Sequence, residues 1–200
     1  PEVTIIDGRG VQRCISCRSG EELTTEIIGF TLKNGFSDMG GAGLMNAWSS
    51  PTVINCIFEN NNGEQGGAIL NAYSDAFIFD CTFTENSAQE EGGAIFSFDS
   101  VAQIINCSFA GNTSIFGGAM FMRSTGFEAP TITNCTFENN EAASGGAIHG
   151  DATKYLLLDS TFITNTSNYG GALAHSGSTP TITRCTFIAN SATNGGACFN

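Results

Sequence analysis

From Pro130 to Ile148 the chain reads PTITNCTFENNEAASGGAI, and the reading of this stretch decides the fold. It carries no 3.6-residue period. Ile132 stands before a bend at Asn134, and Cys135 and Phe137 then alternate with the polar Thr136, the spacing of short strands. Asn and Gly tolerate positive φ, so they suit the corners that end such runs.

The same marks recur in both directions. Gly-Gly pairs start at Gly40, Gly66, Gly92, Gly117, Gly145, Gly170 and Gly195, with steps of 26, 26, 25, 28, 25 and 25 residues, and Ala always follows. Upstream of the pairs stand NCIFENN from Asn55, DCTFTEN from Asp80, NCSFAGN from Asn106, NCTFENN from Asn134, DSTFITN from Asp159 and RCTFIAN from Arg184. Two registers locked together identify an internal repeat. The longest spacing, between Gly117 and Cys135, coincides with RSTGFEAP, which reads as a loop bulging from one corner. A unit of about 25 residues, read as three short strands and three bends, closes one coil. Coils stacked at the strand-pairing distance of about 4.8 Å give an all-β parallel solenoid. Seven to eight coils make a rod of roughly 35 Å. Residues 1–200 then form a single solenoid, with opening coils over 1–39 and repeats over 40–200.

Each sequence position becomes a vertical column. Phe30, Cys56, Cys81, Cys107, Cys135, Ser160 and Cys185 form one. Leu32, Phe58, Phe83, Phe109, Phe137, Phe162 and Phe187 form a second. Ile27, Val53, Ile78, Ile104, Ile132, Leu157 and Ile182 form a third, and Gly43, Ile69, Ile95, Met120, Ile148, Leu173 and Cys198 a fourth. All four are small or apolar and are expected in the core. Asn61, Asn86, Asn112, Asn140, Asn165 and Asn190 align as an amide ladder that satisfies corner backbone groups.

The eight cysteines admit two readings. Cys14-Ile-Ser-Cys17 has the spacing of a redox pair or half a zinc site. Packing accounts for more of them: five cysteines fill the ladder, and a step of 26 from Gly43 places Cys17 in the inward column and Cys14 at a Gly-Gly position. Vertical disulfides between rungs stay open. Four N-x-S/T sequons, at Asn106, Asn112, Asn134 and Asn165, arise from the repeat itself, and corner positions leave little room for glycans.

The repeated GGA(I/L) and FxxN tetrapeptides, with GGAI at Gly66–Ile69, Gly92–Ile95 and Gly145–Ile148 and GGAL at Gly170–Leu173, resemble the repeats of chlamydial polymorphic outer-membrane proteins. They also resemble a wider set of right-handed parallel β-helix repeat proteins on bacterial and some eukaryotic cell surfaces. The resemblance covers residues 27 to 200. It implies a right-handed, pectate-lyase-like helix and an extracellular, surface-exposed passenger role, and it supplies no catalytic or cofactor-binding residues because its motif is structural.

Composition bounds the rest. Of 200 residues, 25 are Gly, 16 Phe and 8 Cys, and only 13 % are charged. A net charge of −12 opposes nucleic acid and anionic membranes as partners. No apolar run approaches the ~18–20 residues that span a bilayer. Opening at Pro1 without Met or a signal-like start, and ending at Asn200 within a coil, the chain reads as a segment of a longer rod or as a unit that stacks end to end.

Three functions compete for the outward faces. The first is surface adhesion to another protein or a surface glycan. Leu44, Leu70, Phe96, Phe121, His149, Ala174 and Phe199 follow the fourth column and are expected as an exposed apolar stripe. If they are exposed, replacing Phe96 and Phe121 by Ser leaves the fold intact. The second is a carbohydrate-active enzyme, which needs converging carboxylates or a basic residue beside an acidic site. Asp80 and Asp159 lie coils apart, Glu90 and Glu91 read as a loop pair without partners, and His149 and His175 read as surface residues on opposite strand faces. No catalytic residue is assigned, and neither a metal nor a cofactor is expected. The third is ice binding, through the hydroxyl column Thr31, Ile57, Thr82, Ser108, Thr136, Thr161 and Thr186. Its required companion, Ile28, Ile54, Phe79, Ile105, Thr133, Leu158 and Thr183, matches on only two coils. β-Propensity explains the hydroxyls equally well. The expectation is a structural or adhesive segment at the cell surface, without enzyme activity.

Overall fold

The computed structural model describes residues 4–126 and 130–200. Parallel strands alone build it, and they fall into four sheets of 8, 8, 7 and 7 strands. The coil quoted above contributes Thr131–Thr133, Thr136–Glu138, Glu141–Ser144 and Ile148–Asp151, one strand to each sheet. A coil thus has four strands, not the three expected. The additional one is the segment before Gly-Gly, with sequences such as EAAS, NGEQ and SATN. These residues have little β-propensity, and pairing with the rungs on either side makes them strands.

The corners follow from backbone sterics. Asn134 and Asn139 sit in the left-handed region with φ of 52° and 54°, and Gly145 follows at 68°. Asn tolerates this conformation at modest cost, which explains Asn55, Asp80, Asn106 and Asn134 before ladder cysteines, while Arg184 turns the same corner before Cys185 with φ of 52°. The two glycines of a pair are needed for different reasons. Gly145 requires positive φ, whereas a Cβ on Gly146 would overlap the carbonyl of Gly171 in the next coil. The extra length after Gly117 is taken up beyond Arg123, since Arg123 still pairs with Asp151 while Thr131 pairs with Leu156. Within the loop expected there, Phe127–Ala129 lie outside the described residues, as do Pro1–Val3 at the strand-like start.

The first three core columns pair as read. Cys81 and its equivalents, the Phe ladder and the Ile column are buried through the middle of the rod. Rings stack from Phe58 through Phe83, Phe109, Phe137 and Phe162 to Phe187, with centroids 4.7–5.0 Å apart and planes within 11° of parallel. The rung spacing imposes this distance, and offset stacking makes it favourable. The fourth column is displaced at one end. Leu44, not Gly43, pairs with Ile69, and Ile15 pairs with Leu44, so Cys17 pairs with Asn46 and lies two positions beyond that column. Cys14 accordingly stands at the Ala position of the motif, not at Gly-Gly.

All eight cysteines are free thiols. Those of the ladder sit at the corner between two sheets and donate to carbonyls there. Cys135 Sγ reaches Thr133 O at 3.3 Å and Ile104 O at 3.6 Å. Ser160 makes the corresponding bond to Leu158 O at 2.8 Å, which is why a hydroxyl fits the same column. Burial raises the Cys14 and Cys17 thiols above their ordinary range, the reverse of an activated redox pair.

The asparagine ladder is fully satisfied. Asn112 Nδ2 donates to Asn140 Oδ1 and to Phe83 O, each at 3.0 Å, and its Oδ1 accepts from both Asn86 N and Asn86 Nδ2. Asn61, Asn86, Asn112, Asn140 and Asn165 are fully buried, and Asn190 continues the ladder. The sequons at Asn112 and Asn165 therefore point into the rod, while Asn106 and Asn134 are exposed and bonded to each other at 2.8 Å.

Candidate functional site

The expected stripe exists as a column on the outward face of the sheet that follows Gly-Gly. Leu70 pairs with Phe96, Phe96 with Phe121, Phe121 with His149, His149 with Ala174 and Ala174 with Phe199. Leu44 is not a member: it points into the core, and Met45 holds the outward place.

The stripe is not exposed, contrary to expectation. Phe121 is 2 % accessible and His149 7 %, with Leu70 and Phe96 between them, and only Phe199 on the last rung is open. The glycine corner is the cause, because it folds the preceding sheet back over the column. The last positions of that sheet form a facing column of Gln65, Glu91, Phe116, Ser144, Tyr169 and Asn194. Phe116 meets the edge of His149 at 5.3 Å, and Tyr169 contacts Phe199 at 5.3 Å. The stripe is thus the floor of a concave angle, a second apolar cluster outside the tube.

An ionic cluster lies on this floor. Arg123 Nε donates to Asp151 Oδ2 at 2.7 Å and Nη2 to Glu91 Oε1 at 3.2 Å, and its guanidinium lies 5.2 Å from the centre of the Phe121 ring. Gln65 Nε2 donates to the second oxygen of Glu91 at 2.9 Å. Glu91 therefore lies in a strand with partners on two other coils, not in an unpartnered loop. Burial pushes its carboxyl up, and Arg123 opposes the shift. Burial also pulls His149 below its ordinary value, and its Nδ1 lies 3.1 Å from Ser144 Oγ. A cavity of about 200 Å³ opens among Glu91, Phe116, Phe121, Arg123, His149 and Asp151. Both carboxylates bond to one guanidinium.

His175 points the other way, as its register implies, and is half-buried. Its Nε2 lies 2.7 Å from the hydroxyl of the buried Tyr155. The two columns required for ice binding lie on different sheets, separated by the left-handed corner at Asn134 and its equivalents, so they do not share one flat face.

Exposed aromatic rings gather on one side of the rod. Phe36, Phe116 and Tyr169 lie on the folded-back sheet, Phe199 on the stripe, and Trp48 and Tyr73 at the next corner. Among the described residues these six are all the exposed aromatics. A cavity of about 470 Å³ joins Trp48 to the floor at Met45, Leu70 and Phe96. Sequence reasoning missed these rim residues, although two signals marked them. Trp48 and Tyr73 are one repeat apart, and Phe116 and Tyr169 each stand directly before Gly-Gly. No group of three or more His, Cys, Asp or Glu side chains converges as a metal site among the described residues.

A family model described as a right-handed β-helix region matches residues 5–141 and 90–200. No curated protein and no solved structure matches the chain.

Proposed function

The chain belongs to the right-handed β-helix family, and from that premise we propose that it is a rigid, non-catalytic binding segment at the cell surface. The observation that carries this reading is the concentration of exposed aromatics around one concave angle. Large exposed apolar groups with a polar surround mark interaction sites, and aromatic anchors supply much of the energy at such sites. The scaffold suits the task. Its internal ladders bond each coil to the next, so rim residues on different coils keep fixed separations. An extended partner lying along the axis, a surface glycan or a protein strand, meets Trp48, Tyr73, Phe116 and Tyr169 in turn. The resemblance of the GGA and FxxN repeats to those of outer-membrane surface proteins supports the location. The test is binding to immobilised glycans and to cell-surface extracts. Replacing Phe116 and Tyr169 by Ala should abolish capture, while replacing Glu59 on another sheet leaves it unchanged. Equal binding by both variants overturns the proposal.

One observation favours a second reading, a carbohydrate-active enzyme: Glu91, a buried acid with a raised pKa, shares a cavity with Asp151 and His149. Release of reducing ends from a polysaccharide by the wild type, lost in Glu91→Gln, would establish that reading.

A further inference from the structure

Trp48 and Tyr73 occupy the corner after the stripe sheet, with φ of 52° at each. The same corner is turned by Asp99, Ala152 and Gly177 on other coils, at φ between 45° and 63°. Geometry therefore does not call for an aromatic there, and burial gives little in return: Trp48 is 67 % and Tyr73 47 % exposed. Their rings stack at 5.4 Å, with planes 11° apart. They border a cavity of about 550 Å³ whose charged lining residues are Glu21, Glu22 and Asp75, without a Lys or Arg. Two of these carboxylates are held in place. Glu21 accepts from Ser19 N at 2.8 Å and Ser49 Oγ at 2.7 Å, and Asp75 accepts from Val101 N at 2.8 Å. Arg18 and Arg123 line the neighbouring cavity instead.

We propose that this pocket binds an organic cation, with a quaternary ammonium group set against the Trp48 ring and balanced by Glu21, Glu22 and Asp75. Indole offers the strongest face for a cation, and a methylated ammonium sheds water more readily than a metal ion does. The carboxylates supply long-range attraction that a neutral ligand would not use. The inference goes beyond the reading of the aromatic side as a binding face, by assigning ligand chemistry to one end of it. A surface glycan or protein could still engage Phe116 and Tyr169 if this pocket took no cation.

Trp48 is the only tryptophan in the chain, so its fluorescence reports the pocket directly. Choline chloride is titrated into the protein at constant ionic strength, with sodium chloride and methyl glucoside in parallel. The expected result is a saturable change with choline alone, on the order of millimolar in Kd. The double variant Glu22→Gln/Asp75→Asn should weaken it about tenfold or more, as should Tyr73→Ala, with the far-ultraviolet dichroism unchanged. No saturable response to choline, or an equal response to sodium chloride, overturns the proposal. Saturation by methyl glucoside in place of choline also overturns it and makes the pocket a saccharide site. Capture of a partner through Phe116 and Tyr169 is measured separately, so the two claims fail independently.

Discussion

The imidazole of His149 lies on the ring of Phe121, with centroids 5.4 Å apart and planes 15° from parallel. Both side chains are buried on the outer side of the tube. An ionisable group in that position ties stability to pH. Burial lowers the folded pKa of His149, so the unfolded chain binds its proton more readily. Stability from this group is fully present above about pH 6.5, the ordinary histidine value, and is lost as pH falls below it. His175, also lowered by burial, acts in the same direction. Urea midpoints measured from pH 7.5 to pH 5 should fall for the wild type. The fall should be shallower in His149→Gln and shallowest when His175→Gln is added. A midpoint independent of pH over that range contradicts the burial of both rings.

The stripe itself gives the second prediction. Phe96 and Phe121 stack at 5.7 Å and are almost inaccessible. Replacing either by Ser removes a buried ring and leaves a hydroxyl in its place, at a cost of about 3–5 kcal/mol. Tolerance of both substitutions in denaturant unfolding would mean that the stripe is exposed after all.

Asn112 is the third. Truncation to Ala leaves the Phe83 carbonyl and the Asn86 N and Nδ2 donors without the side-chain partner they have now, while Asn140 Oδ1 keeps only the backbone N of residue 112. Each stranded buried group costs about 1–3 kcal/mol, so Asn112→Ala should be among the most damaging single changes in the rod. Asn106→Ala, at an exposed corner, should cost under about 1 kcal/mol. Similar unfolding midpoints for the two variants would contradict the ladder.

The ionic cluster supplies the fourth. Removing Arg123 leaves Glu91 buried beside Asp151 without a cation. Arg123→Gln should destabilise by about 1–2 kcal/mol at neutral pH, a figure reduced for the partial exposure of the arginine. The loss should shrink as pH falls and Glu91 takes up a proton, since its folded pKa is raised. Adding Glu91→Gln should recover much of it. Failure of this second substitution to rescue stability would show that Arg123 acts through its packing on Phe121.

The columns were legible in the sequence because stacked coils repeat the same environment at every rung. Phe58 through Phe187 and Asn61 through Asn190 needed only a count of residues. What escaped depended on angles between sheets, which a repeat does not encode. Glu141–Ser144 looks like a loop by composition and becomes a strand because its neighbours on both sides are strands. The extra residue near Gly40 moves Leu44 from the stripe into the core, a one-residue slip that alternation turns into a change of face. Apart from Leu44, the stripe points away from the tube. Its cover, Phe116 and Tyr169, comes from the other side of the Gly-Gly corner, and only the fold of that corner brings the two columns together.

If the concave, aromatic-rimmed side is the working face of the rod, a bound partner covers its rim. Hydroxyl-radical footprinting of the bound partner complex tests it most directly, because oxidation reports side-chain access residue by residue. Trp48, Tyr73, Phe116 and Tyr169 should be protected, with Ile57 and Ile188 on another sheet oxidised as in the free protein. Protection centred on Ile57 and Ile188, with the four aromatics still reactive, would contradict it.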